Sequence, residues 1–485
     1  MRTKVSINAK ARRCVLGLLI SLLVLPACAL GVPDILQDPL GVQPDRLQTG
    51  AMLPDGSPIA PSLDVDLSQP MALGSAIDVA LCNNPQIRSA WAAIRIQAAG
   101  VGEARAAYLP TIKVSVSRLA NWSSYSSPTR APDSFLVGSQ LYGTLSWRLL
   151  DFGGRSASNK AASQLLKAAL AAHDASLQKT MTGVIQAYFD AMTAQSLFIA
   201  RKKMADLAEE ILAATRRREN HGAAPLSDTL QASTALAKAR LNEARAQGDF
   251  NKSMSLLVQA MGLAPGTCLR LPETLELYRA DDVTALNRWL REAEEQHPAI
   301  RQARAKLAAD KAKIAVARSE GLPSLDATAY ISMNGYPNQG LSSVNQSVKV
   351  AGVTFNLPIF EGFGRTYKIR GAQAQVEQSE AQLQDTTSQI LTEVVKAHAD
   401  ALTSLGTLKA TERLMAAARE GLHSSLRRYE RHAADILEVL SSQSSLADAE
   451  QERIRAVAEW RSARLRLLSN SGFLGRADLL EEKRP

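Results

Sequence analysis

The chain has 485 residues, of which 46% are hydrophobic, 5% aromatic and 21% charged, and its formal net charge is +9. That length can bury a sizeable core, and an alanine-rich, aromatic-poor composition favours long helices. Residues 1–29 hold five basic and no acidic side chains, so the remainder carries only +4, and no nucleic-acid partner is expected.

Residues 1–29 read as a signal peptide. Arg2, Lys4, Lys10, Arg12 and Arg13 precede the 11-residue apolar run Val15–Leu25, too short for the about 20 residues that span a bilayer. Two processing routes compete. Ala27–Cys28–Ala29 fits cleavage before Leu30, whereas "LPAC" fits a box in which Cys28 is lipidated, although proline is unusual there. No later run reaches 18 consecutive apolar residues, so the exported chain is soluble or enters a membrane as β-strands. Cys82 and Cys268 are too distant to form a metal motif.

Residues 30–70 contain seven prolines and read as an extended arm. The chain then repeats itself. "NNPQIRSA" from Asn83 returns as "QHPAIRQA" from Gln296, 213 residues on. Thr182–Thr193 returns as Thr392–Thr403, 210 residues on, and Gly262 returns as Gly472 at the same offset. The first repeat is set at 71–270 with a β-hairpin at about 111–150. The second is set at 285–473 with a hairpin at about 324–358, and 474–485 form a tail.

Each repeat predicts a helix, two strands, a very long helix, a turn and another helix. Pro110 and Pro323 end helical runs and open strands. Residues 155–220 and 365–432 lack proline, which predicts helices of roughly 100 Å with coiled-coil-like packing. Ile112, Val114 and Val116 alternate with Lys113, Ser115 and Ser117, and Val137–Leu149 and Leu325–Met333 alternate likewise. In Val344–Leu357 the apolar parity changes, so a β-bulge is expected near Gly352. Such alternation fits a transmembrane strand or any half-buried sheet. The aromatics weigh towards the membrane. Thirteen of 23 fall in 108–152 and 330–367, and Trp122, Trp147, Tyr336 and Phe360 stand where an interfacial belt would. Four strands cannot close a membrane barrel, so other copies must complete it. A conducting barrel favours three copies and twelve strands.

The paired "NNP" and "QHP" turns, "YLP" and "GLP" at the strand starts, and "LLDFGGR" and "PIFEGFGR" at the strand exits resemble the TolC family of outer-membrane factors. The likeness covers about 71–473. Ala80–Pro110 is most similar to the CyaE-like branch that serves type I secretion. The resemblance implies a mainly α fold with a transmembrane β-barrel portion: a homotrimer whose 12-stranded barrel continues as a periplasmic α-helical barrel. It implies an outer-membrane exit duct for a protein such as an RTX-type toxin, which opens when a periplasmic adaptor and an inner-membrane ABC transporter dock. An RND-type efflux channel is the alternative within that class, and a periplasmic coiled-coil adaptor is the rival outside it. No G-x-S-x-G, P-loop or H-E-x-x-H is present, and neither an enzyme nor a cofactor is expected.

By the same resemblance the helix-to-helix turns form the periplasmic gate. Asp228 matches a gate-locking aspartate, Tyr429 its partner, and Glu438 and Ser441 the two positions of acidic rings. Gly222, His432 and Ala433 match the adaptor-docking tips. Three departures stand out. His432 stands where the family's second tip has a glycine. Ser441 is not acidic, and Ala434 occupies the place of a gate arginine, which Arg431 would have to replace.

Overall fold

The computed structural model describes residues 38–42, 69–124, 134–272, 285–334, 346–431 and 433–472. The signal peptide, Cys28, most of the arm, Tyr336, His432 and the tail at 474–485 lie outside the described residues. Residues 38–42 belong to a unit of their own and make a turn in which the Val42 amide donates to Asp38 Oδ1 at 2.9 Å.

In the second unit the two repeats have elements of matching kind and length. The first contains α1 (Leu73–Asn83), α2 (Pro85–Ala106), β1 (Thr111–Ser123), β2 (Ser134–Leu150), α3 (Gly154–Asn220) and α4 (Leu226–Ala260). The second contains α5 (Leu286–Gln296), α6 (Pro298–Ser319), β3 (Ser324–Asn334), β4 (Gln346–Asn356), α7 (Gly364–Glu430) and α8 (Ile436–Asn470). The helices run 11, 22, 67 and 35 residues in both.

Local chemistry sets the boundaries. Asn84 caps α2 by accepting from the Gln86 amide at 2.8 Å, with Pro85 at the first helical position. His297 does the same for α6 through Nδ1, which accepts from the Ala299 amide at 3.2 Å, with Pro298 following. The strand-to-helix bends use left-handed backbone at Phe152 and Gly153, and at Gly362 and Phe363. Arg155 staples the first bend. Its guanidinium donates to the Arg148 and Leu149 carbonyls at 2.7 and 3.1 Å and lies over the Tyr108 ring. At the matching bend Arg365 fills the space beside Gly321, where a side chain would collide with it.

Above the middle of the long helices α2, α3, α6 and α7 lie side by side, and below it α4, α3, α8 and α7 do. One core packs Ile77 and Leu81 of α1 against Leu177, Met181 and Ile185 of α3 and Leu257 of α4. Gly262 and Gly472 close the two repeats. Both have positive φ, and a Cβ there would press on the Asn83 carbonyl carbon at 3.1 Å or the His297 Cα at 3.2 Å. Polar bonds from α3 to α7 and α8 tie the repeats together: Thr182 to Ser469, Arg201 to Gln451, Gln443 to the Met204 carbonyl and Arg218 to the Tyr429 carbonyl.

The strands form one antiparallel sheet in the order β1-β2-β3-β4, so β1 and β4 are its edges. The expected bulge at Gly352 is absent. β3 and β4 pair without interruption from Ser324–Asn356 to Asn334–Gln346, and the register shift falls in β2 between Arg148 and Leu150. The parity change in β4 is therefore real. Val348 and Val350 share a face with Ser332 and Tyr330, while Lys349 lies opposite Ile331.

Candidate functional site

Two regions carry the chemistry: the sheet and the turns at the far ends of the long helices. In the sheet, cross-strand partners share a face. Ile112, Val114 and Val116 lie opposite Leu145, Gly143 and Leu141, which in turn lie opposite Ala329, Ile331 and Met333. This face is apolar and open: Ile112, Val114 and Val116 are 68–76% exposed. Lys113, Ser115, Thr144, Tyr142 and Tyr330 share the other face, where the two tyrosine rings lie 5.7 Å apart. An apolar face presented outward in a single chain needs a nonaqueous neighbour or another protein surface.

Aromatics mark both ends of the strands. Trp122 packs on Phe135 at 5.0 Å, at the end far from the helices. Trp147 donates its indole N–H to the Tyr108 carbonyl at 2.9 Å, at the helical end. Phe360 stands there too, exposed and edge-on to Phe363 at 5.4 Å. Twelve residues separate Trp122 from the level of Trp147, a rise of ~40 Å along the strand. No helix among the described residues is long and apolar enough to cross a membrane.

At the tips, α3 ends on a reversed bond from the Ala223 amide to the Arg218 carbonyl at 2.8 Å, with Gly222 at φ +71. The second tip repeats it, from the Ala433 amide to the Arg428 carbonyl at 2.8 Å. Gly222 and Ala433 are both exposed. Asp228 and Glu438 stand at the same place, the third residue of α4 and of α8. Asp228 is half-buried and, among the described residues, its carboxylate accepts only from its neighbour Ser227, at 3.4 Å. Glu438 is paired with Arg428 at 2.6 Å, and Arg428 also donates to the Ala433 carbonyl. Ser441 is exposed.

Tyr429 does not meet Asp228 within the chain. It is buried with Ile211, Leu422, Ile436 and Val439, and its hydroxyl has no hydrogen-bond partner among the described residues. What holds it is Arg218, 4.3 Å from the ring centroid and bonded to its carbonyl at 2.8 Å. Ala434 packs against the same cluster, and Arg431 is exposed and makes no ion pair among the described residues. Sequence reasoning missed Arg218 and Arg428. The signal was there: they are related by the 210-residue offset, and each precedes its turn in the last turn of a long helix.

The family described as "Outer membrane efflux protein" matches residues 76–263 and 289–472, one stretch in each repeat. The chain belongs to that family. It is 34% identical to Protein CyaE of Bordetella pertussis over 410 residues, 84% of this chain and 85% of that one. It is 24% identical to the alkaline protease secretion protein AprF of Pseudomonas aeruginosa over 421 residues, covering 83% and 84% of the two chains. Among solved structures, the Campylobacter jejuni CmeC outer membrane channel superposes with a TM-score of 0.74 at 17% identity, over 84% of this chain and 88% of that one. As a member of this family, the chain resides in the outer membrane. The rival reading as a soluble adaptor is set aside.

Proposed function

We propose that three copies of the chain close their sheets into one 12-stranded barrel, and that the long helices continue it as a periplasmic tunnel. The observation that carries this is the sheet itself, apolar on one face and polar on the other through β1, β2 and β3, and open at β1 and β4. Unpaired backbone groups at those edges each cost several kcal/mol in lipid, so the edges must be joined. β4 of one copy runs antiparallel to β1 of the next, which keeps the ladder regular around the ring. Twelve strands leave room for an aqueous channel inside, lined by the polar face.

In this reading the chain is the passive exit duct of a tripartite export system. Its helical tips, with Gly222, His432 and Ala433, dock a periplasmic adaptor, and an inner-membrane ABC transporter drives the cargo. Resemblance to secretion proteins such as CyaE and AprF favours a protein cargo of the type I secretion class over small-molecule efflux. Asp228, Tyr429, Glu438 and Ser441 lie at the narrow periplasmic end, which stays shut until the adaptor engages. The test is twofold. Native mass spectrometry of detergent-extracted outer membranes should give three chains per particle. Deleting the gene should abolish secretion of a protein driven by a neighbouring ABC transporter. A monomer, or loss of small-molecule resistance alone, overturns the respective half.

A further inference from the structure

The tips invite a sharper statement about charge. Carboxylates repeated around a narrow mouth make a field that favours cations. The two equivalent carboxylates here are not equivalent in partners. Asp228 has no ion pair among the described residues, whereas Glu438 is held at 2.6 Å by Arg428, whose second nitrogen grips the Ala433 carbonyl at 3.2 Å. The tip segments 216–228 and 427–438 together carry six arginines against five carboxylates, with His neutral. Arg218, the counterpart of Arg428, is turned away from Asp228 and onto Tyr429.

We propose that Arg428 is a selectivity-determining residue of the periplasmic mouth. By holding Glu438 as a fixed ion pair it cancels the charge that this carboxylate would present there, so the mouth discriminates little between cations and anions. This rests on the duct reading above. The pair is half-exposed, so its contribution to stability is small and its removal leaves the fold intact. Its effect on the field is larger, since each copy would lose a positive charge and uncover a negative one.

The experiment uses the purified full chain in planar bilayers under a KCl gradient near 0.1 M, where the screening length is about 10 Å. The wild type should show a K+/Cl− permeability ratio near unity. Arg428→Ala should raise that ratio by roughly twofold or more, and the rise should shrink at about 1 M salt. Arg428→Lys should behave as wild type, and Arg428→Ala with Glu438→Gln should return most of the way. An unchanged ratio in conducting Arg428→Ala channels overturns the proposal and leaves the duct standing. A wild-type chain that forms no conducting pores overturns the duct, and the proposal falls with it.

Discussion

Arg218 and Tyr429 join the two helical hairpins of one chain at their tips. The guanidinium lies 4.3 Å from the tyrosine ring centroid and donates to the tyrosine carbonyl at 2.8 Å. One residue ends α3 and the other ends α7, so the hairpins cannot part without breaking this contact. The family resemblance placed the latch in an Asp228–Tyr429 pair. The tyrosine hydroxyl is buried without a hydrogen-bond partner among the described residues, and the ring is what is held.

Arg218→Ala should therefore loosen the tips. A stacked cation and a carbonyl hydrogen bond together are worth about 1–2 kcal/mol, which shifts a closed-to-open ratio roughly 5- to 30-fold. Single-channel recording should show higher mean conductance, with Arg218→Lys in between. Tyr429→Phe should change little, because the hydroxyl has no hydrogen-bond partner among the described residues. If Asp228→Ala with Tyr429→Phe raises conductance while Arg218→Ala does not, the latch belongs to the Asp–Tyr pair.

Acid should weaken the second repeat before the first. Burial pushes the His297 imidazole down to about 4 from its usual 6.5. A base held neutral in the fold contributes stability that is fully present above pH 6.5 and is lost as pH falls from there through about 4. The loss is on the order of 2–3 kcal/mol. His297→Asn reproduces the uncharged cap Asn84 of the first repeat, and thermal melts of this variant should be flatter between pH 6.5 and 4.

Gly262→Ala and Gly472→Ala should each destabilise the fold by about 1–3 kcal/mol, seen as a lower melting temperature. Both combine positive φ with a crowded backbone neighbour. Gly222→Ala has the same backbone demand but open space around it, so its cost should be smaller, about 1 kcal/mol.

Val114 and Ser115 are adjacent in β1 but lie on opposite faces of the sheet. Val114→Arg should cost roughly 2–4 kcal/mol in the membrane and deplete the proposed trimer in detergent extracts of outer membranes. Ser115→Arg, on the polar face, should assemble normally and change conductance instead.

Much of this architecture was legible in the sequence because it is written in periods. Proline-free alanine-rich stretches became the two 67-residue helices, and the alternation around Val114 became a two-faced sheet. The β4 parity change was visible but misread. Val348 and Val350 line the polar face beside Tyr330 without any bulge, and pairing partners, not one strand's pattern, decide that. The tips were legible only as positions. Which carboxylate Arg428 reaches, and that Arg218 crosses to the other hairpin, depend on how α3, α7 and α8 pack, and no local pattern encodes that.

The open edges of the sheet carry a genetic consequence. β1 and β4 each leave about half of their backbone donors and acceptors facing outward. A ring built from such edges is only as sound as its weakest seam. A chain altered at β4 but intact at β1 would still be recruited beside normal copies and would leave the ring unsealed. In the proposed trimer, with equal expression and random mixing, only about one ring in eight would escape. Edge lesions in this protein should therefore be dominant, whereas lesions that prevent folding should be recessive.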